Sequence, residues 1–266
     1  MKIFYYLCVQ QRQEGNYRKM VDNNNFKFCK SIILSENTKC GSYKQRNTCM
    51  DHARITLKTD KCWILDDNIT GWFYLNEGSN RITNGWAFKH VEKFVQNIKE
   101  PIAIFSHTYE SDIRANTVFP PYSVNRRNYS SLLLDLRLLH KHNIRWRLKY
   151  NEDVDLTLQA LNKKLYTLSS NYVVVKKPPT LRCKGGNTSI IYGEGKHFDK
   201  KYQTLQDKWK GTFIEPFITR QKKHLDNRIH HFVKYSMITK KLGLKDIITP
   251  KKKFTKHKSL KSFDII

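Results

Sequence analysis

The sequence is poor in acid. Its 266 residues carry 23 Asp and Glu against 49 Lys and Arg, a formal net charge of +26. It also lacks any uncharged apolar run of about 18 residues, so no membrane-spanning helix is expected. None of its six cysteines, at 8, 29, 40, 49, 62 and 183, has a partner at C-x-x-C spacing. Zinc-ribbon and dithiol redox readings therefore get no support, and the expectation is reduced thiols in an intracellular compartment. No Gly-x-Ser-x-Gly elbow, no Walker loop and no His-x-Glu with Cys-x-x-Cys occurs. Serine hydrolase, P-loop and zinc-deaminase readings therefore get no support from motifs.

Enough apolar material is present for a core. Hydrophobic residues make up 39% and aromatics 12%, which argues against wholesale disorder despite the charge. A charge of +26 attracts polyanions. Nucleic acid leads as partner, an acidic membrane surface is second, and the codon bias of an AT-rich genome is the bland alternative.

Apolar runs alternate with helical periodicity. The runs at 1–9 (not a signal peptide), 31–35, 62–65, 102–105, 131–139 and 173–175 read as strands. Residues 10–30 have no clear pattern, and 45–58 fit a helix. Phe88, Val91, Val95 and Ile98 step at helical spacing, as do Val154, Leu158, Leu161 and Leu165. The run Cys62 to Leu65 fits a strand buried on both faces in a parallel sheet. The predicted class is α/β, an open sheet flanked by helices. One domain is expected over residues 1–240, then a basic tail over 241–266. That tail fits an import signal, a phosphate-binding arm or a solubilising end.

Four clusters bear chemistry. Asp66-Asp67-Asn68 ends a strand, where ligands of α/β sheets bind. Adjacent carboxylates fit a hard divalent cation, or else an Asx turn. Asn151-Glu152-Asp153 opens a helix. Its acids could take a proton, or simply complement the helix dipole. Lys184-Gly185-Gly186-Asn187-Thr188 lets backbone amides approach a phosphate, or makes a turn. His230-His231 fits a metal, a phosphate or an ordinary surface pair.

In this order the segments resemble the TET/JBP-associated glycosyltransferases, a family of bacteriophages and trypanosomatids that includes a base J enzyme. Arg46-Asn47-Thr48-Cys49 is similar to the family's "RN-x-x-W/C". Trp63 to Ile69 resembles "W-x-x-DDNI", and Arg145-Trp146-Arg147 with Tyr150 to Leu158 resembles "RWR-x-x-YNED-x-DLSL". Lys184 to Thr188 matches "KGGNT". Tyr192, Glu194 and Gly195 resemble "FY-x-x-EG", though Lys196-His197 replaces the small residue that comes next. Arg228 to Tyr235 resembles "R-W-HH-x-V-x-Y". The likeness spans about 45–235, and residues 1–40 show no clear counterpart of the family's opening strand and donor loop.

The resemblance implies a GT-A-like, Rossmann-related open mixed sheet flanked by helices. It implies a UDP-sugar donor and, as acceptor, DNA containing a 5-hydroxymethylpyrimidine, in a nucleus or a phage-infected host cytoplasm. Asp66 and Asp67 would hold Mg²⁺ or Mn²⁺, with His230 or His231 completing the shell. Asp153, or second to it Glu152, would be the base. Arg46, Asn47, Asp66, Asn68, Lys184, Gly185, Gly186 and Asn187 would meet the donor. Arg145 and Arg147 would grip the DNA backbone, and Trp146 or Tyr150 would stack on an extruded base, with core packing the alternative for Trp146. A non-DNA acceptor, or a basic DNA-binding relative without catalysis, are the competing readings.

Overall fold

Leu132, Leu133 and Leu134 point alternately to the two faces of a sheet, and each face has its own core. The computed structural model describes residues 3–24, 26–38, 42–75, 79–113, 120–178, 198–222, 229–245 and 247. The chain opens with β1 (Tyr5–Gln10), α1 (Glu14–Asn23) and β2 (Cys29–Ser35). β1 and β2 pair in parallel as a separate two-stranded sheet. Helix α2 (Tyr43–Asp51) packs against both and runs into a π-helical turn, His52–Thr56. The stretch without clear pattern is thus a helix and its connections, with α1 burying no side chain.

The main sheet comes next: β3 (Lys61–Leu65), β4 (Gly71–Leu75), β5 (Ser79–Ile82), β6 (Ile102–Tyr109), β7 (Tyr122–Val124), β8 (Ser131–Asp135) and β9 (Tyr166–Lys176). Its order is β3-β8-β6-β9-β4-β5, with β7 also on β9. Only β6 and β9 pair in parallel within it. The fold is mixed α/β, a seven-stranded sheet flanked by helices, as a GT-A-like, Rossmann-related architecture requires.

Two strand expectations are corrected. β3 lies at the end of the sheet and is antiparallel to β8, not in a parallel core. Its apolar run arises because Cys62 packs against one core and Trp63 against the other. The run at 131–139 is also not one strand. Asp135 ends β8, and its carboxylate accepts from the Arg137 and Leu138 amides at 3.1 Å, starting α4 (Leu136–Lys141).

Helix α3 (Trp86–Gln96) buries Val91, Phe94 and Val95 under one face of the sheet. α5 (Glu152–Asn162) lies on the other face and is buried almost all round. Leu156 and Ala160 meet the sheet core, while Val154, Leu158 and Leu161 meet a third core. That third core is completed by α6 (Phe198–Trp209), β10 (Ile218–Lys222), β11 (Ile229–Val233) and α7 (Tyr235–Leu242). β10 and β11 form an antiparallel pair.

β9 opens the sheet near its middle. Its register against β6 shifts between His107 and Thr108, which pair with Ser170 and Val174. Before the shift β9 pairs with β7, after it with β4. Such irregularities re-aim side chains and open space in a sheet. Asn171 bridges the gap: its Nδ2 donates to the Pro120 carbonyl and Ser123 Oγ, and its Oδ1 accepts from Thr108.

Candidate active site

The two acidic motifs meet through one arginine. Asp66 leaves the end of β3, and its amide donates to the Ser130 carbonyl at 2.8 Å. Arg46, on α2, donates to Asp66 Oδ1 at 2.8 Å and to Glu152 Oε1 at 3.2 Å. Glu152 also accepts from Ser42 at 3.2 Å. The other Asp66 oxygen accepts from Ser130 Oγ at 2.7 Å and lies 3.7 Å from Lys177 Nζ. Ser130 Oγ is further bonded by Tyr109 and Lys177.

The next residue of the helix start, Asp153, has a different cation. Arg127 Nε and Nη2 donate to its Oδ2 at 3.1 and 2.8 Å. Arg127 in turn lies over the Tyr129 ring, 4.8 Å from its centroid. Asn151 sits at the N-cap in the left-handed region, φ 55°, and makes no capping bond with its side chain.

Three acids (Asp66, Glu152, Asp153) stand against three cations (Arg46, Arg127, Lys177) in this cluster. Burial disfavours charge on Arg46, which is 12% exposed, but its carboxylate neighbours outweigh burial and raise its pKa. Arg127, whose side chain is 42% exposed, has its pKa raised by the Asp153 carboxylate that it hydrogen-bonds. Burial raises the pKa of Glu152 above the ordinary carboxylate range, against the pull of Arg46.

Beside Asp153 lies a cavity of about 340 Å³. Ser106 and Thr108 of β6, Ser123 of β7 and Asn171 of β9 line it, with Arg127 and Tyr235. The Tyr235 hydroxyl is buried and has no hydrogen-bond partner among the described residues.

Asp67 is exposed next to Asp66, and the buried Oδ1 of Asn68 has no hydrogen-bond partner among the described residues. Asn47 clamps the backbone of Trp146, donating to its carbonyl at 2.7 Å and accepting from its amide at 3.1 Å. Trp146 is 1% exposed and lies in the core. It presents no face to a base, because the sheet, α4 and α5 enclose it. Arg145 is paired with Asp51 at 2.7 and 2.8 Å, and Arg147 with Asp155 at 2.8 and 2.9 Å. Both guanidiniums are held by carboxylates of this chain. Tyr150 is half-buried before α5. His231 lies on β11 opposite Arg220 of β10. His230 is its neighbour on β11. Among the described residues, no group of three His, Cys, Asp and Glu gathers as a metal site. Lys184, Gly185, Gly186, Asn187 and nearly all of the basic tail lie outside the described residues.

Arg127, Ser130, Lys177 and Tyr109 carry no signal in the sequence that marks them for a role, whereas Tyr235 closes the motif that begins at Arg228. Arg126-Arg127 and Lys176-Lys177 are adjacent basic pairs, a signal lost against so many others. Asn128-Tyr129-Ser130 reads as a sequon, yet Asn128 is buried and donates to Ser106 Oγ.

A mixed sheet whose strand-end acid, Asp66, is joined to the helix-start acid Glu152 by the largely enclosed Arg46 places these polar groups beyond a strand end, where α/β sheets bind ligands. The chain matches the family described as TET-Associated Glycosyltransferase over residues 1–186. It belongs to that family, and so is a glycosyltransferase that uses a nucleotide-sugar donor. The match takes in residues 1–40 and stops short of Arg228 to Tyr235. No curated protein matches the chain. Among the described residues no helix is long and apolar enough to cross a membrane.

Proposed function

We propose that the chain moves a sugar, in the first instance glucose, from a UDP-linked donor to the hydroxymethyl group of a modified pyrimidine in DNA. The observation that carries this reading is the Arg46 bridge at 2.8 Å to Asp66 and 3.2 Å to Glu152. It brings the strand-end and helix-start acids into one cluster. The charge of +26 supports a polyanionic acceptor.

The donor diphosphate belongs on the Asp66 side. The three acids and three cations there already balance, so an incoming diphosphate needs further positive charge. The oxygens of exposed Asp67 and the orphaned Asn68 Oδ1 fit a hard cation such as Mg²⁺ or Mn²⁺. Bound there, such an ion would stabilise the charge that develops on the departing diphosphate. Lys177 and Arg46 add charge from the same side.

Asp153 takes the proton. Arg127 fixes its carboxylate by two hydrogen bonds to one oxygen. An alcohol becomes strongly acidic only as its oxygen bonds to the anomeric carbon, so a weak base in the right place suffices. The new C–O bond forms from the face opposite the departing diphosphate, whose bond to that carbon breaks as UDP leaves. Glu152 holds Arg46 in place. The test is incubation with UDP-sugars and DNA containing hydroxymethyl-uracil or hydroxymethyl-cytosine, followed by nucleoside mass spectrometry. A hexose-bearing nucleoside is expected. Its absence with every donor, alongside measured donor binding, would refute the acceptor.

A further inference from the structure

Fully buried thiols are inert, and reactive ones are partly exposed. Cys8 of β1 and Cys49 of α2 are both half-buried. They lie far apart in the chain, but β1 packs against α2. Cys8 Sγ donates to the Gln45 carbonyl at 3.4 Å. The α-helical repeat aims that carbonyl at the amide of Cys49, four residues on. Residues four apart share a helix face, so the contact lays the Cys8 sulfur on the face that carries Cys49. The Cys49 thiol in turn hydrogen-bonds the Cys8 sulfur.

The two sulfurs are unequal. The bond from Cys49, helped by the Ser35 hydroxyl, lowers the pKa of Cys8 against its burial. The Gln45 carbonyl works the other way, since it accepts only from the neutral thiol. Giving its bond to Cys8, together with burial, raises the pKa of Cys49. Cys8 is therefore the readier thiolate, with a protonated Cys49 beside it. Two other described cysteines are placed differently. Burial pushes the Cys62 thiol up to about 12. Cys29 donates within its own strand, to the Ser31 carbonyl at 3.7 Å.

We propose that Cys8 and Cys49 form a reversible disulfide when the protein meets hydrogen peroxide. The Cys8 thiolate attacks one peroxide oxygen and the O–O bond breaks. Cys8 becomes a sulfenic acid, and the released hydroxide takes up a proton as water. The Cys49 sulfur then attacks the Cys8 sulfur. The S–S bond forms, the S–O bond breaks, and the Cys49 proton leaves with that oxygen as a second water. The two thiols are oxidised by two electrons, which the peroxide takes up. A dithiol reverses the bond by exchange. The disulfide ties β1 to the helix that carries Arg46. It does not depend on which acceptor the transferase uses.

The test is peptide mapping of the full chain after hydrogen peroxide, with the remaining thiols blocked by N-ethylmaleimide. Trypsin releases Cys8 in the peptide Ile3–Arg12 and Cys49 in Asn47–Arg54. The expected product is a single mass, the sum of these peptides less both thiol hydrogens. It comes from the monomer band of a non-reducing gel, and dithiothreitol returns the separate peptides. Cys8 joined to Cys62 or to another cysteine, a link found only in dimers, or no joined peptide overturns the proposal. Cys49→Ser gives a second readout. Without its partner the Cys8 sulfenic acid persists, and dimedone labels it about 10-fold more than in wild type. Equal labelling of the two also overturns the proposal.

Discussion

Arg147→Met tests whether an arginine that looks like a DNA contact is instead a strut. Asp155 is fully buried, at 0% exposed. Its oxygens accept from Arg147 Nε at 2.8 Å and Nη2 at 2.9 Å, from Trp209 Nε1 at 2.9 Å and from Gln159 Nε2 at 2.8 Å. Arg147 also lies over the Trp209 ring, at 5.2 Å. This ties α5 to α6, across the end of the family-matched residues. Removing the guanidinium leaves a buried carboxylate with two neutral donors. Breaking a buried pair from one side costs about 3–5 kcal/mol. Water can reach the vacated place, because Arg147 is 35% exposed, so the low end applies, about 3 kcal/mol. That is a melting point lower by roughly 6–12 °C for a chain of this size. Asp155→Asn in the same background removes the stranded charge and should restore most of the loss, a coupling read from the double-mutant cycle. Urea and thermal unfolding measure it. Unchanged stability with weakened DNA binding would refute the argument and return Arg147 to the DNA interface.

Three further outcomes are expected. Asp67→Ala should slow sugar transfer by on the order of 10²-fold if its carboxylate positions a cation; near-normal turnover at saturating Mn²⁺ would count against that role. DNA affinity should fall by roughly one log unit per log of salt for each phosphate neutralised, and a flat response in a binding titration would leave the +26 charge without a DNA partner. Burial lowers the pKa of His107, whose Nδ1 lies 2.9 Å from Ser131 Oγ, to about 3. Between about pH 6.5 and 3 the unfolded chain therefore binds a proton that the folded chain refuses. Stability falls as pH drops through that window, by up to about 1.4 kcal/mol per pH unit. In urea unfolding at about pH 6.5 and about pH 4.5, inside that window, His107→Gln should lose less stability than wild type; equal losses would refute the linkage.

Much was legible from one dimension. Helical spacing at 88–98 and 154–165 marked α3 and α5, because a helix buried on one side repeats its apolar residues every third or fourth position. The acid pairs stood out because adjacent carboxylates are costly without a purpose. Arg145 and Arg147, expected to meet DNA, each face a carboxylate of this chain. Among 49 Lys and Arg, nothing local distinguishes a cation facing DNA from one facing a buried carboxylate.

Sequence alone therefore determined the class of fold, the excess of positive charge, and the short acid motifs that name the family. These depend on composition and on neighbours along the chain. Only tertiary structure decided that Arg46 joins Asp66 to Glu152, that Arg127 holds Asp153 and that Trp146 is core. Each of those is a pairing between distant segments, set by which cations the folding sheet and helices leave within reach of which acids.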